Sequence, residues 1–149
     1  MNELQAISIS RLVQVRILSL SASRPLADSD SGIVEAQVKF SVKNSKDKKR
    51  KIGTVQITLI GKPSKPEEDK SSSNKISFKL DVEARGVYSY PEDIDAATIK
   101  ISEDMASIMC MPIYLFAKIR AENALRDMGL PSVRVDPDLR TVGDKNENS

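Results

Sequence analysis

Four stretches of the chain alternate apolar and polar residues with a period of two, which is typical of β-strands with one buried face. These stretches lie at 13–17, 34–42, 55–59 and 76–84. Turn-rich connectors separate them, at 27–32, 44–51 and 61–74. Because no segment of helical period lies between them, the sequence predicts an antiparallel meander. The alternation meets Gly86 and then resumes, which predicts a bend or bulge at that glycine.

Beyond the last strand the spacing of apolar residues changes to that of a helix, from about residue 101 to residue 128. Ser102 or Asp104 is placed to cap its start, and Gly129 is placed to end it. Pro112 lies inside the pattern and should kink the helix or divide it in two. Strands followed by a helix predict an α+β fold, with a four-stranded antiparallel sheet and a long Pro-kinked helix.

The apolar surface of such a fold is larger than one chain can cover. A single helix cannot bury a whole face of a four-stranded sheet, and the two sheet edges stay open. We therefore predict an oligomer built on a domain of residues 1–139. The last residues, 140–149, are polar and are expected to form a disordered tail.

Composition excludes several kinds of chemistry. The 149 residues include no His and no Trp, and Cys110 is the only cysteine. Zinc sites built on His and Cys, Ser-His-Asp triads and intramolecular disulfides all lack their residues, and no glycine-rich phosphate loop is present. We expect no enzyme activity, no catalytic residues, no metal and no cofactor. The chain also has no secretory signal pattern and no apolar run long enough to cross a bilayer, which favours a cytoplasmic protein without membrane contact.

The net charge is only +2, but cations cluster at residues 46–51. Such a run could bind phosphates, and a nucleic-acid-binding regulatory module is one alternative function. Neither a basic helix nor aromatic residues accompany the run, and a charged hairpin tip is most often a solvated turn. We therefore regard nucleic acid as an unlikely partner.

Residues 80–88, 111–120 and 129–137 together resemble the SecB family of cytosolic export chaperones and its SecB-like relatives. The segment 80–88 has the family's strand ending of acidic residue, glycine and aromatic residue. The segment 111–120 has a proline before an apolar-aromatic pair and then an arginine. The segment 129–137 has the Gly-apolar-Pro helix exit, followed by a short extended stretch and a proline.

This resemblance implies a homotetramer, assembled as a dimer of dimers, that holds unfolded polypeptides in apolar grooves without a nucleotide. We expect client binding at residues that flank the bend and the helix start: Val42, Tyr88, Tyr90, Ile101, Met105 and Ile108. We expect the oligomer interface at Val13, Val15, Met109, Pro112, Phe116 and Ile119.

Two departures from the family pattern narrow the expected role. The export chaperone is acidic whereas this chain carries +2, and the residues after 138 are too few and too polar for the family's second helix. Both argue against docking to the motor ATPase of the export machinery. The relatives found in toxin-antitoxin-chaperone systems are the better analogue, and the predicted function is an ATP-independent holdase that protects an antitoxin. A general export chaperone is the alternative.

Overall fold

The computed structural model describes residues 2–24, 32–63, 76–130, 133 and 135. The elements are helix α1 (Glu3–Ile9), strands β1 (Arg11–Ser23), β2 (Gly32–Asn44), β3 (Lys51–Pro63) and β4 (Phe78–Ser89), a 3-10 turn (Ala96–Thr98), and helix α2 (Glu103–Asp127). The α+β class, the four-stranded antiparallel sheet and the long helix after it are confirmed. The predicted tail at 140–149 and most of the 61–74 connector lie outside the described residues.

The strands are ordered β1-β4-β3-β2, so β1 pairs with the last strand and not with β2. The predicted meander is therefore wrong for β1, whose register against β4 runs from Arg11↔Ser89 to Ser23↔Lys79. Alternation shows which side chains of a strand share a face, but it carries no information about which strand lies beside it. The two edges of the sheet are β1 and β2.

Gly86 forms no bulge, which corrects the predicted bend. It lies in regular register opposite Gly53 on β3, and the register shifts occur instead on β1, between Leu12 and Gln14 and between Ile17 and Ser19. A Cβ added at Gly86 would lie 2.6 Å from the Cδ1 of Ile113, and one at Gly53 would lie 2.7 Å from the same atom. The glycine pair therefore makes a notch that receives the Ile113 side chain of α2.

Helix α2 begins and ends where the sequence predicts. The Ser102 hydroxyl caps it by accepting the Met105 N–H at 3.3 Å, and Gly129 follows its end at φ +80°. The helix continues through Pro112, so of the two predicted outcomes, a kink or a division, the division does not occur. Pro112 removes only one backbone N–H, and packing of the helix on the sheet holds the two halves together.

The core lies between α2 and the face of the sheet that we call the inner face. Helix α2 packs mainly on the central strands β3 and β4. The inner-face residues of those strands are fully or almost fully buried: Val55, Ile57, Leu59, Leu80, Val82 and Ala84. On the edge strands the same face is only partly covered, and Leu20 and Val34 remain 45% and 40% exposed.

Helix α1 was not predicted. The Asn2 side chain accepts the Gln5 N–H at 2.8 Å, and the Gln5 side chain accepts the Asn2 N–H at 3.0 Å. This reciprocal pair is a capping box, which fixes the start of the helix.

Candidate functional site

A groove of about 1000 Å³ lies between α1 and the segment that leads into α2. Its apolar lining includes Leu4, Ile94, Ile99 and Met105. Charged side chains, namely those of Asp93, Asp95 and Lys100, line the same groove. Leu4 is 65% exposed, the most exposed large apolar residue of the described chain. A mixed apolar and polar cleft of this kind fits a peptide better than a bilayer or a flat surface.

Lys51 fixes the wall of this groove to the sheet. Its Nζ donates hydrogen bonds to the Ile99 carbonyl and to the Asn44 Oδ1, both at 2.6 Å. Burial lowers the pKa of Lys51, and the nearby Asp95 carboxylate partly opposes that shift. The two hydrogen bonds offset the cost of burying an ammonium group, and they tie the segment that carries Ile99 to β3.

Asp95 holds the same segment from the other side, since its carboxylate accepts the Ala97 N–H at 3.0 Å and caps the 3-10 turn. A second cavity of about 680 Å³ lies beyond it, between the β2–β3 turn and residues 89–96. Tyr90 lines this second cavity, and burial raises its pKa. The groove and the second cavity therefore share residues 93–95, in a loop that hydrogen bonds of Asp95 and Lys51 hold in place.

An apolar stripe runs along the side of α2 that faces away from the sheet. Ile108, Pro112, Leu115 and Ile119 recur at helical spacing, and all four are exposed. The exposed fraction is 42% at Ile108, 43% at Leu115 and 57% at Ile119. Phe116 borders the stripe under the Arg120 guanidinium, whose central carbon is 5.4 Å from the ring centroid. Nothing in the described protomer covers this surface, which we call the α2 stripe.

The predicted client-binding residues do not form one cluster. Met105 lines the main groove and Tyr90 lines the second cavity. Ile101 and Val42 are half-buried against the core, and Ile108 belongs to the α2 stripe.

Tyr88 does not belong in that set. It is 4% exposed beneath α2, and its hydroxyl donates a hydrogen bond to the Met109 carbonyl. Alternate residues of β4 face the core, and Tyr88 lies two positions after the inward-facing Gly86. The Tyr88 ring therefore packs in the core, where a client cannot reach it.

The predicted interface residues also lie in different parts of the protomer. Pro112, Phe116 and Ile119 lie on or beside the α2 stripe, and Val13 is 49% exposed on edge strand β1. Val15, also on β1, is half-buried. Met109 is 3% exposed and packs inside the protomer, so we remove it from the interface set.

The sequence interpretation missed the groove wall formed by α1. Leu4 was not singled out, although Asn2 and Gln5 stand at the spacing of a capping box directly around it. Ile94 and Ile99 were also missed. They lie in a segment without regular periodicity, so no sequence pattern indicated their place in the groove.

Among the described residues, neither a metal-binding cluster nor an ionised thiol stands at these sites. The described residues contain no cluster of three or more His, Cys, Asp or Glu able to hold a metal ion. Burial raises the pKa of the Cys110 thiol to about 12, so the sulfur is protonated and unreactive at neutral pH. Within the same residues, no helix has the length and apolar character needed to span a membrane. The groove and the α2 stripe can bind a partner by shape and apolar contact.

The fold, in contrast, has a clear structural counterpart. The structure matches the SecB-like chaperone Rv1957 of Mycobacterium tuberculosis, solved in complex with a ChAD peptide from the Rv1956 HigA1 antitoxin, with a TM-score of 0.66. The match covers 90% of this chain and 93% of that one. The chain has the SecB-like fold. The sequences are only 10% identical, and neither a protein-family model nor a curated protein matches this sequence.

Proposed function

We propose that the chain is an ATP-independent holdase that binds unfolded or aggregation-prone polypeptides in its apolar groove. The observation that carries this proposal is the exposed apolar surface on a SecB-like fold: the groove with Leu4 and Met105, and the α2 stripe. Contiguous apolar surface of this kind on a small domain marks a binding site.

Burial of apolar client side chains supplies the binding free energy, at about 25 cal/mol per Å² removed from water. Ordering a flexible client opposes this gain, so each groove binds weakly by itself. Several grooves on one assembly raise the effective concentration of the remaining segments of the same client. Binding of the unfolded form lowers the amount free to aggregate by mass action, without nucleotide hydrolysis. The methionine in the groove suits clients of varied shape, because its side chain is flexible and polarisable.

The assembly in this proposal is a homotetramer, a dimer of dimers. The α2 stripe and the exposed apolar residues of edge strand β1 are the surfaces available for contacts between copies, with Val13, Val15, Pro112, Phe116 and Ile119 as interface residues. Each leaves apolar side chains in water in the single protomer, and burying them between copies is favourable. Ile108, at the start of the stripe, lies where an interface and a client groove would meet.

The client proposed is an antitoxin, and the compartment is the cytoplasm. Support comes from the structural counterpart, which was solved with an antitoxin peptide. A general export chaperone is the second candidate, and a toxin-antitoxin gene pair beside the gene would favour the first. Binding of nucleic acid by the basic run is less well supported, because Lys51 of that run is buried in the protein and hydrogen-bonded there.

Aggregation suppression tests the holdase proposal. A chemically denatured test protein is diluted into buffer with one chaperone assembly per client, and light scattering is followed. The variant Leu4→Ser/Met105→Ser should lose most of the suppression, since it removes apolar contact area from the groove. The matched control Ile60→Ser/Val87→Ser changes two half-buried apolar residues on the sheet face away from α2 and should keep it. Equal activity of both variants, or no suppression by the unaltered protein, would contradict the proposal.

Mass determination tests the assembly separately. Light scattering of the purified protein should give four times the chain mass of 16.4 kDa. Replacing Leu115 and Ile119 by Asp should reduce that mass, because two charges would enter the α2 stripe. A 16.4 kDa particle before substitution would rule out the tetramer.

A further inference from the structure

The face of the sheet opposite α2, which we call the outer face, carries its charges unevenly. The strand register places Lys43, Arg85, Arg16 and Arg11 in adjoining rows at the end of the face next to the β2–β3 turn. The turn adds Lys46, Lys48, Lys49 and Arg50, all exposed. We call these eight residues the basic end.

The other half of the outer face is neutralised by its own carboxylates. Lys62 Nζ lies 3.0 Å from Glu35 Oε1, and Lys79 Nζ lies 3.8 Å from Asp81 Oδ2. Asp81 also accepts a hydrogen bond from the Thr58 hydroxyl at 2.8 Å. Opposite charges are thus interleaved on that half, as is usual for a solvated surface.

The basic end lacks such ion pairs, although Glu92, Asp93 and Asp95 line the second cavity beside Lys48, Lys49 and Arg50. Among the described residues, none of its eight cations forms an ion pair. The only carboxylate of the turn, Asp47, is engaged locally, because it accepts hydrogen bonds from the Ser45 hydroxyl and the Lys49 N–H. Arg16 and Arg85 stand directly opposite each other on β1 and β4. Like charges in that position destabilise a sheet, and a bound anion would remove the repulsion.

Arg85 gives independent evidence that a hydrogen-bond acceptor is missing from this surface. Its Nε is buried and has no hydrogen-bond acceptor within the described protein. Buried donors are nearly always paired in folded proteins, so the Nε of Arg85 is an unsatisfied donor within the described protein. An anion held by Arg16 and Arg85 would draw the guanidinium into a charge-assisted contact.

We propose that the basic end is a docking surface for an acidic polypeptide segment, rich in Asp and Glu, separate from the apolar groove. Guanidinium groups bind carboxylates in a bidentate fork, and side-by-side arginines suit successive acidic residues. The outer-face positions of the described strands include no aromatic residue, and Tyr90, beside the turn, is half-buried. Single-stranded nucleic acid would therefore find little surface for base stacking there. Binding of an acidic segment does not require aromatic stacking, and an extended polypeptide can lie on a flat sheet. Polypeptide is therefore the occupant that the surface favours.

The test uses a fluorescein-labelled peptide of alternating Glu and Ser, titrated with the full-length protein in 150 mM salt and followed by anisotropy. The variant Arg16→Gln/Arg85→Gln should weaken binding by about tenfold or more, since charge-assisted hydrogen bonds are lost. The control Lys62→Gln/Lys79→Gln removes the same charge from the neutralised half and should change the affinity by less than about threefold. Binding should also weaken as salt is raised.

Three results would overturn the proposal: no binding of the acidic peptide, equal loss in both variants, or tighter binding of single-stranded DNA of the same length. The last would make the surface a nucleic-acid site. Aggregation suppression is measured on the same variants and should be unchanged, because the basic end lies on the face away from α2. The docking surface and the holdase proposal can therefore fail independently.

Discussion

The two faces of the sheet are built from the same four strands but are held together by different forces. On the inner face, alternating apolar residues of β3 and β4 lose all or almost all contact with water under α2. On the outer face, the intervening residues of the same strands stay at least partly exposed and interact through charges and hydroxyl groups. Stability should therefore depend strongly on the inner face and weakly on the outer one.

The inner face itself is covered unevenly, and this difference bears on function. Helix α2 lies over the centre of the sheet and leaves apolar residues of the edge strands exposed, such as Leu20 and Val34. Apolar side chains in the centre stabilise the protomer. At the edges and on the α2 stripe, they are available to other chains.

The largest effect should come from one residue type placed on the two faces of one strand. Ile57 and Ile60 both belong to β3, and Ile57 is fully buried on the inner face whereas Ile60 is half-buried on the outer face. Ile57→Ala should lower the free energy of unfolding by about 2–5 kcal/mol, through lost burial and a cavity. Ile60→Ala should lower it by about 1 kcal/mol or less. Urea denaturation at fixed protein concentration measures both, and similar losses would contradict the comparison.

The glycine notch should show the next largest effect. Gly86→Ala places a Cβ against the Ile113 side chain and should destabilise the protein by about 1–3 kcal/mol through overpacking. Ile113→Ala removes both side-chain atoms, Cδ1 and Cγ1, that the new methyl group would meet first. The double variant should therefore be more stable than the sum of the two single changes predicts. Strict additivity in thermal or urea unfolding would show that the notch does not determine the fit of α2.

Alkaline pH should lower the free energy of unfolding, because the thiolate of Cys110 is disfavoured where the side chain is buried against the inner face. The pKa of Cys110 rises from 9.0 to about 12 on folding, because burial disfavours the thiolate. The unfolded thiol loses its proton first, so this contribution is complete below pH 9 and is lost as pH rises towards 12.

Between those values Cys110 should add a slope of up to about 1.4 kcal/mol per pH unit to the fall in stability. Cys110→Ala should remove that part of the slope. Burial also raises the pKa of Tyr88, so the free energy of unfolding of this variant should still fall above pH 10. Unfolding curves over this range, compared by slope, test the assignment. An unchanged slope in the variant would refute it.

The smallest effects belong to the outer face and should have opposite signs at its two ends. Arg16→Gln should raise the free energy of unfolding by about 0.2–1 kcal/mol, because it removes a like-charge neighbour of Arg85. Asp81→Asn should lower it by a similar amount, since it weakens the contacts with Lys79 and Thr58. The charge-dependent part of both effects should diminish in 1 M salt. Effects of the same sign at low salt would show that the charges are not divided as the register indicates.

The sequence determined the local elements because their signals are local. Period-two alternation located four strands, and a Ser102 cap with Gly129 located the ends of α2. The same signals could not establish that β1 lies beside β4, or that Gly86 stands opposite Gly53 to receive Ile113. These facts depend on which distant segments meet, and side-chain periodicity is the same for every possible neighbour.

The candidate binding surfaces, too, follow partly from the sequence and partly from the tertiary structure. The sequence by itself determined that the chain holds more apolar surface than one helix can cover, and that it contains no His. Only the tertiary structure decided which apolar residues stay outside. It placed Tyr88 and Met109 in the core, added Leu4 to the groove, and gathered Arg11, Arg16 and Arg85 with the basic turn. Burial and charge clustering are properties of surfaces formed by segments far apart in the chain, so they arise only when the strands have paired and α2 has packed on them.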